Sequence, residues 1–147
     1  MCDLTTALRQ YAPFQDLKPT ANCGQVALYV AAVMLTANCG GPACNSMLKA
    51  QMLAAALDAY VNDPALASAS VDLTGICTNA ACSATQDDSG AFGGAASLTV
   101  SQILAYAAGQ SNVGGSSWYG NVKTDQVMAK DVFQAISNQE AASPSST

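Results

Sequence analysis

Six cysteines, at Cys2, Cys23, Cys39, Cys44, Cys77 and Cys82, constrain this 147-residue chain more than any other feature. Their number is even and two intervals are C-x4-C, which suits covalent clamps across tight connections. Zinc knuckles more often space thiolates C-x2-C and gather four ligands, and here the two close pairs lie more than thirty residues apart. Three disulfides are therefore expected. Six cysteines permit fifteen pairings; Cys39 with Cys44, Cys77 with Cys82 and Cys2 with Cys23 nest most simply, the last being the least constrained. A bridge across the Cys2 to Cys23 interval stabilises by about 3 kcal/mol in the chain-entropy picture, and the short loops by less. No lysine or arginine adjoins a cysteine, so nothing in the local sequence lowers a thiol pKa for redox chemistry.

The chain contains no histidine. That removes Ser-His and Cys-His nucleophile pairs, a neutral-pH proton shuttle and His-containing metal sites. Apolar residues make up 50% of the composition and charged ones only 10%, which argues for one well-buried domain over disorder. We place that domain at residues 1–139, with 140–147 a linker-like tail rich in serine and alanine. Ten Asp+Glu against five Lys+Arg give a net charge of −5, which is no footprint for nucleic acid or an anionic membrane. The longest apolar run, Val26 to Leu35, is about half of the ~20 residues a membrane crossing needs. The start at Met1-Cys2-Asp3-Leu4 lacks the basic and apolar stretches of a signal peptide, so a secreted origin implies an excised piece of a longer precursor.

Helical periodicity recurs five times, predicting an all-α, disulfide-braced bundle. The first helix carries Leu4, Leu8 and Tyr11 between Asp3 as cap and Pro13 as stop. The second runs from about Asn22 to Ala37; its apolar residues nearly encircle the axis, which predicts a central position. The third starts near Pro42 and carries Met47, Leu48, Met52, Leu53, Leu57 and Tyr60, forming a hairpin with the second. Thr99-Val100-Ser101-Gln102 reads as a capping box opening the fourth, and the fifth begins near Thr124 with Val127, Met128, Val132, Phe133 and Ile136 on one stripe. Residues 65–97 form a long excursion clamped by Cys77 and Cys82, expected as an ordered loop lobe or an interaction surface, with Val71 to Ile76 its one candidate strand. Met34, Met47, Met52 and Met128 fall on apolar helix faces and are expected in the core.

Candidate chemistry is sparse. Trp118 and Tyr119, between glycines and serines, suit either an exposed aromatic platform for glycan or protein or, more simply, a cover over one end of the bundle. Asp87-Asp88-Ser89-Gly90 resembles the start of a calcium loop but lacks the alternating acids and distant glutamate, so a solvated turn within the interaction surface is the expectation. The ten acids are scattered, and an acid-pair enzyme would require two of them to converge in a cleft. Cys23-Gly24-Gln25 has the order of an internal thioester, a minor alternative because it leaves an odd cysteine. Nothing implies catalysis, a metal or a cofactor; the expected partner is an extracellular protein or glycan.

Four strings are similar to an uncharacterised helical domain of bacterial secreted or cell-surface proteins of Actinobacteria and Chloroflexi, often attached to stalk-like or immunoglobulin-like repeats. They are LRQYAPFQDL from Leu8, MLKAQMLAAALDAYVNDPAL from Met47, VDLTGIC from Val71, and the stretch from Ala91 to Lys130. The resemblance implies an exported, helical, non-catalytic structural or adhesive module, with no active-site residue to carry over. It also implies that Cys39 and Cys44 come as a pair, a dispensable staple, since related domains often lack both. As the alternative, Cys39-Gly40-Gly41-Pro42-Ala43-Cys44 before a helix resembles the elicitins, small three-disulfide helical proteins that bind lipids or sterols, although this chain is half as long again and its last cysteine pair is also close-spaced. A large enclosed apolar cavity is the feature that reading requires.

Overall fold

The computed structural model describes residues 2–79 and 81–142, with side chains as far as Asn138. Ala80, the first methionine and residues 143–147, most of the expected tail, lie outside the described residues. In chain order come α1 (Asp3–Arg9), α2 (Cys23–Leu35) and α3 (Asn45–Leu57), the last running into a π-helical turn at Asp58–Asn62. A single-turn 3-10 segment at Pro64–Ser68 leads into β1 (Ser70–Asp72), β2 (Ile76–Cys77) and β3 (Thr85–Gln86). Another 3-10 turn, β4 (Ser97–Thr99), α4 (Val100–Gly109) and α5 (Lys123–Ala142) follow.

The strands correct the all-α expectation. β1 pairs antiparallel with β4 in the register Ser70 to Thr99, and β2 with β3 in the register Ile76 to Gln86. The reason is backbone accounting: residues 65–97 make no long helix, so their N–H and C=O groups must pair as the segment closes on itself. The Leu73 amide donates to the Ala96 carbonyl (2.9 Å) and the Asp88 amide to the Leu73 carbonyl (2.8 Å). Leu73, Ile76, Ala91 and Phe92 anchor the lobe in the core, so it is ordered rather than loose.

The core sits between α3 and α5, the most extensive element pair. Leu48, Met52 and Leu53 of α3 and Ala129, Val132, Phe133 and Ile136 of α5 are buried there, with Phe92 packed edge-on against Phe133 at 6.4 Å between ring centroids. α4 adds Val100, Ile103, Leu104 and Ala107; its capping box is formed as expected, with Thr99 Oγ1 accepting from the Gln102 amide and the Gln102 side chain accepting from the Thr99 amide. α3 starts at Asn45 with Cys44 as N-cap, so Pro42 lies in the preceding loop rather than in its first turn. α5 extends to Ala142, through the first residues assigned above to the tail.

Bridges join Cys2 to Cys23, Cys39 to Cys44 and Cys77 to Cys82, and no cysteine is free among the described residues. Cys23 is the first residue of α2, Cys44 is the N-cap of α3, and Cys77 belongs to β2. No helix among the described residues is long and apolar enough to cross a membrane.

Candidate functional site

α2 is where sequence and structure part most sharply. Thirteen residues, CGQVALYVAAVML, include none that is charged, yet only Val26 and Val33 are buried. At about 100° per residue those two valines mark one face, flanked by the half-buried Tyr29 and Val30. The opposite face carries Gly24, Leu28, Ala31, Ala32 and Leu35, all exposed, Leu28 by 73% and Leu35 by 85%. The expected central helix is thus peripheral: it packs on α3 and α1 through one apolar stripe and shows a second to solvent. Met34, expected in the core, is 38% exposed, whereas Met52 is buried and Met47 and Met128 are half-buried.

Fastenings at both ends hold α2 in place. The Asn22 side chain accepts from the Gln25 amide (2.8 Å) while the Gln25 side chain accepts from the Asn22 amide (2.9 Å), a reciprocal cap worth about 1 kcal/mol. The bridge from Cys2 ties the first residue of α2 to the start of α1, and the bridge from Cys39 to Cys44 closes the loop into α3. The same geometry disposes of the thioester: Cys23 is in a disulfide and the Gln25 amide group serves the cap. On the inner flank, Asp16 accepts from Tyr29 Oη (2.6 Å) and from Lys49 Nζ (2.8 Å), and Lys49 Nζ also donates to the Gly114 carbonyl (2.8 Å). Burial and the neighbouring Asp16 carboxylate both raise the Tyr29 pKa, so the phenol remains a donor. The charges beside α2 are in this way paired with one another.

The other expected surface residues divide. Trp118 is wholly buried, with Nε1 donating to the Gly115 carbonyl at 2.8 Å, and Tyr119 is buried beside it, so the exposed-platform reading is corrected and the pair covers one end of the core. Gly115 makes that possible: its φ is +68°, and a Cβ there would stand 3.2 Å from Pro13 and Lys49 carbons. Asp87 is exposed and folds an Asx turn onto Ser89, whose N–H and O–H both donate to its carboxylate and hold its pKa below the ordinary range.

Asp88, placed above with Asp87 on a solvated surface, is instead 1% exposed. Gln86 Nε2 donates to both Asp88 oxygens (2.7 and 3.0 Å) and to Asp131 of α5 (2.9 Å), bringing together two acids 43 positions apart. Burial, reinforced by the Asp131 and Asp87 carboxylates, raises the Asp88 pKa to about 6. The pair lines an open groove of about 550 Å3 with Lys123, Val127 and Met128. No cluster of three potential metal ligands occurs among the described residues.

Gln126, which sequence reasoning missed, is a second buried polar junction. Its Oε1 accepts from the Cys44 amide (2.7 Å) and its Nε2 donates to Asn45 Oδ1 and to the Trp118 carbonyl (both 2.9 Å). One amide thereby ties α5 to the disulfide-closed turn and to the tryptophan loop. Its only sequence signal is a polar residue one position before the apolar stripe of α5. No family model, curated protein or solved structure matches the chain.

Proposed function

We propose that this chain is a non-catalytic structural or interaction module of a bacterial secreted or cell-surface protein, and that the outer stripe of α2 is its contact element. The observation carrying this reading is a charge-free helix with two leucines turned to solvent, held at both ends by disulfide-closed loops. Contiguous exposed apolar surface is costly to solubility and marks contact sites. Three bridges suit an oxidising compartment, where such crosslinks persist.

The lipid-carrier alternative has less support. Trp118, Phe14, Phe92 and Phe133 fill the core, and the groove beside Leu8, Tyr11, Ala56, Ala59 and Leu104 is open and about 180 Å3. The larger groove beside Asp88, about 550 Å3, is open and carries Asp87, Asp131 and Lys123 in its lining, whereas a lipid carrier needs an enclosed apolar cavity.

Retention of the oxidised protein on a phenyl matrix tests the contact element. Replacing Leu28 and Leu35 together by glutamate should cut retention to that of an ordinary acidic protein without lowering the melting temperature. Unchanged retention would remove α2 as the contact element.

A further inference from the structure

We infer that the outer stripe of α2 is a self-recognition surface, which pairs with the same stripe of a second copy in antiparallel orientation about a two-fold axis between Ala31 and Ala32. This rests on the contact-element reading above and names the partner.

Four of the five outward positions, Leu28, Ala31, Ala32 and Leu35, are symmetric about that point, and Gly24 has no counterpart within the helix. Reading from Leu28 to Leu35, LYVAAVML is nearly the same in both directions, with leucine at each end and two alanines at the centre. In an antiparallel pair centred between the alanines, Leu28 meets Leu35 of the other copy at both ends, and Ala31 meets Ala32. Small residues at the crossing let helix backbones approach closely, and the terminal leucines then fill the spaces beside them. A two-fold contact requires such self-complementarity, because one patch must serve as both halves of the interface.

Charge points the same way. α2 has no charged residue and the nearest ion pair, Lys49 with Asp16, is satisfied internally, so nothing on the face calls for an oppositely charged partner. An anionic bilayer is disfavoured, since surface-lying helices use Lys and Arg on their polar side, and this chain is acidic with none in α2. A helix of 13 residues is about 20 Å long, and its single face covers less than the ~800 Å2 per partner of a standard stable interface. The association is therefore weak and concentration-dependent, suited to chains already held close on one surface.

Sedimentation velocity of the full chain across roughly 10 µM to 1 mM tests this. The wild type should shift from monomer toward dimer; the double variant Leu28→Glu, Leu35→Glu should remain monomeric at every concentration. The variant Leu28→Lys, Leu35→Glu separates orientations: an antiparallel pair sets lysine against glutamate at both ends and restores salt-sensitive dimerisation, whereas a parallel pair sets like charges together and stays monomeric. A monomeric wild type at 1 mM overturns self-recognition. If phenyl retention is still lost in the double-glutamate variant, the contact element survives with a different partner, and binding to neutral phosphatidylcholine vesicles would then assign a lipid surface. If retention is also unchanged, both readings fall.

Discussion

α2 and α5 are both helices with apolar residues at helical spacing, yet they are held by different physics. α5 buries Gln126, Ala129, Val132, Phe133 and Ile136 against α3 and the lobe, and none of its described residues belongs to a disulfide. α2 buries two valines and is flanked by two of the three bridges. The contrast teaches that two of the three crosslinks flank the helix whose own burial is thinnest. A helix that keeps one apolar face for a partner gives up that area as internal cohesion, and loop closure restores part of it.

The largest effect should come from the α5 side. Phe133→Ala should lose about 3–5 kcal/mol in denaturant unfolding, as expected for an aromatic removed from a filled core. A loss under about 1 kcal/mol would mean that α3 and α5 do not carry the fold. Replacing Cys2 and Cys23 together by serine should cost about 3 kcal/mol, and amide exchange should show α2 opening ahead of α5. Uniform opening of both would erase the comparison. Gln126→Leu should lose about 1–3 kcal/mol, because it leaves the Cys44 amide buried without its partner and the Trp118 carbonyl with the Asn121 amide alone.

A smaller effect concerns pH. Asp88 titrates at about 6 in the folded chain, above its ordinary value of 3.8, so the folded state holds its proton more tightly than the unfolded one. That contribution is fully present below the ordinary value and is lost as pH rises through about 6. The unfolding free energy should therefore be higher at about pH 4.5 than at about pH 7.5, by an amount on the order of 1 kcal/mol, and Asp88→Asn should flatten this window. A profile that the Asp88→Asn substitution leaves unchanged would show that the Gln86 junction does not control it.

Much of the helical scaffold was legible in the sequence because its signals are local. Thr99 and Gln102 announce a cap within one turn, and the stripe of α5 repeats over five apolar positions. The simplest nesting of the cysteines is also the pairing found. The strands were less legible because two or three residues are too short to show alternation, and their partners lie up to 29 positions away. Asp88 and Asp131 meet only through tertiary folding, so no spacing rule joins them. α2 was misplaced for a different reason: periodicity counts apolar residues around a helix, and a helix apolar all round is ordinarily buried. It does not say whether the second face meets the chain's own core or another molecule.

The most direct test of that distinction is calorimetry of the oxidised wild type beside the Leu28→Glu, Leu35→Glu variant at low concentration, where both are monomeric. Because both leucines face solvent, the melting temperatures should agree within about 2 °C. A fall of about 10 °C or more would place the outer stripe inside the fold and contradict the account.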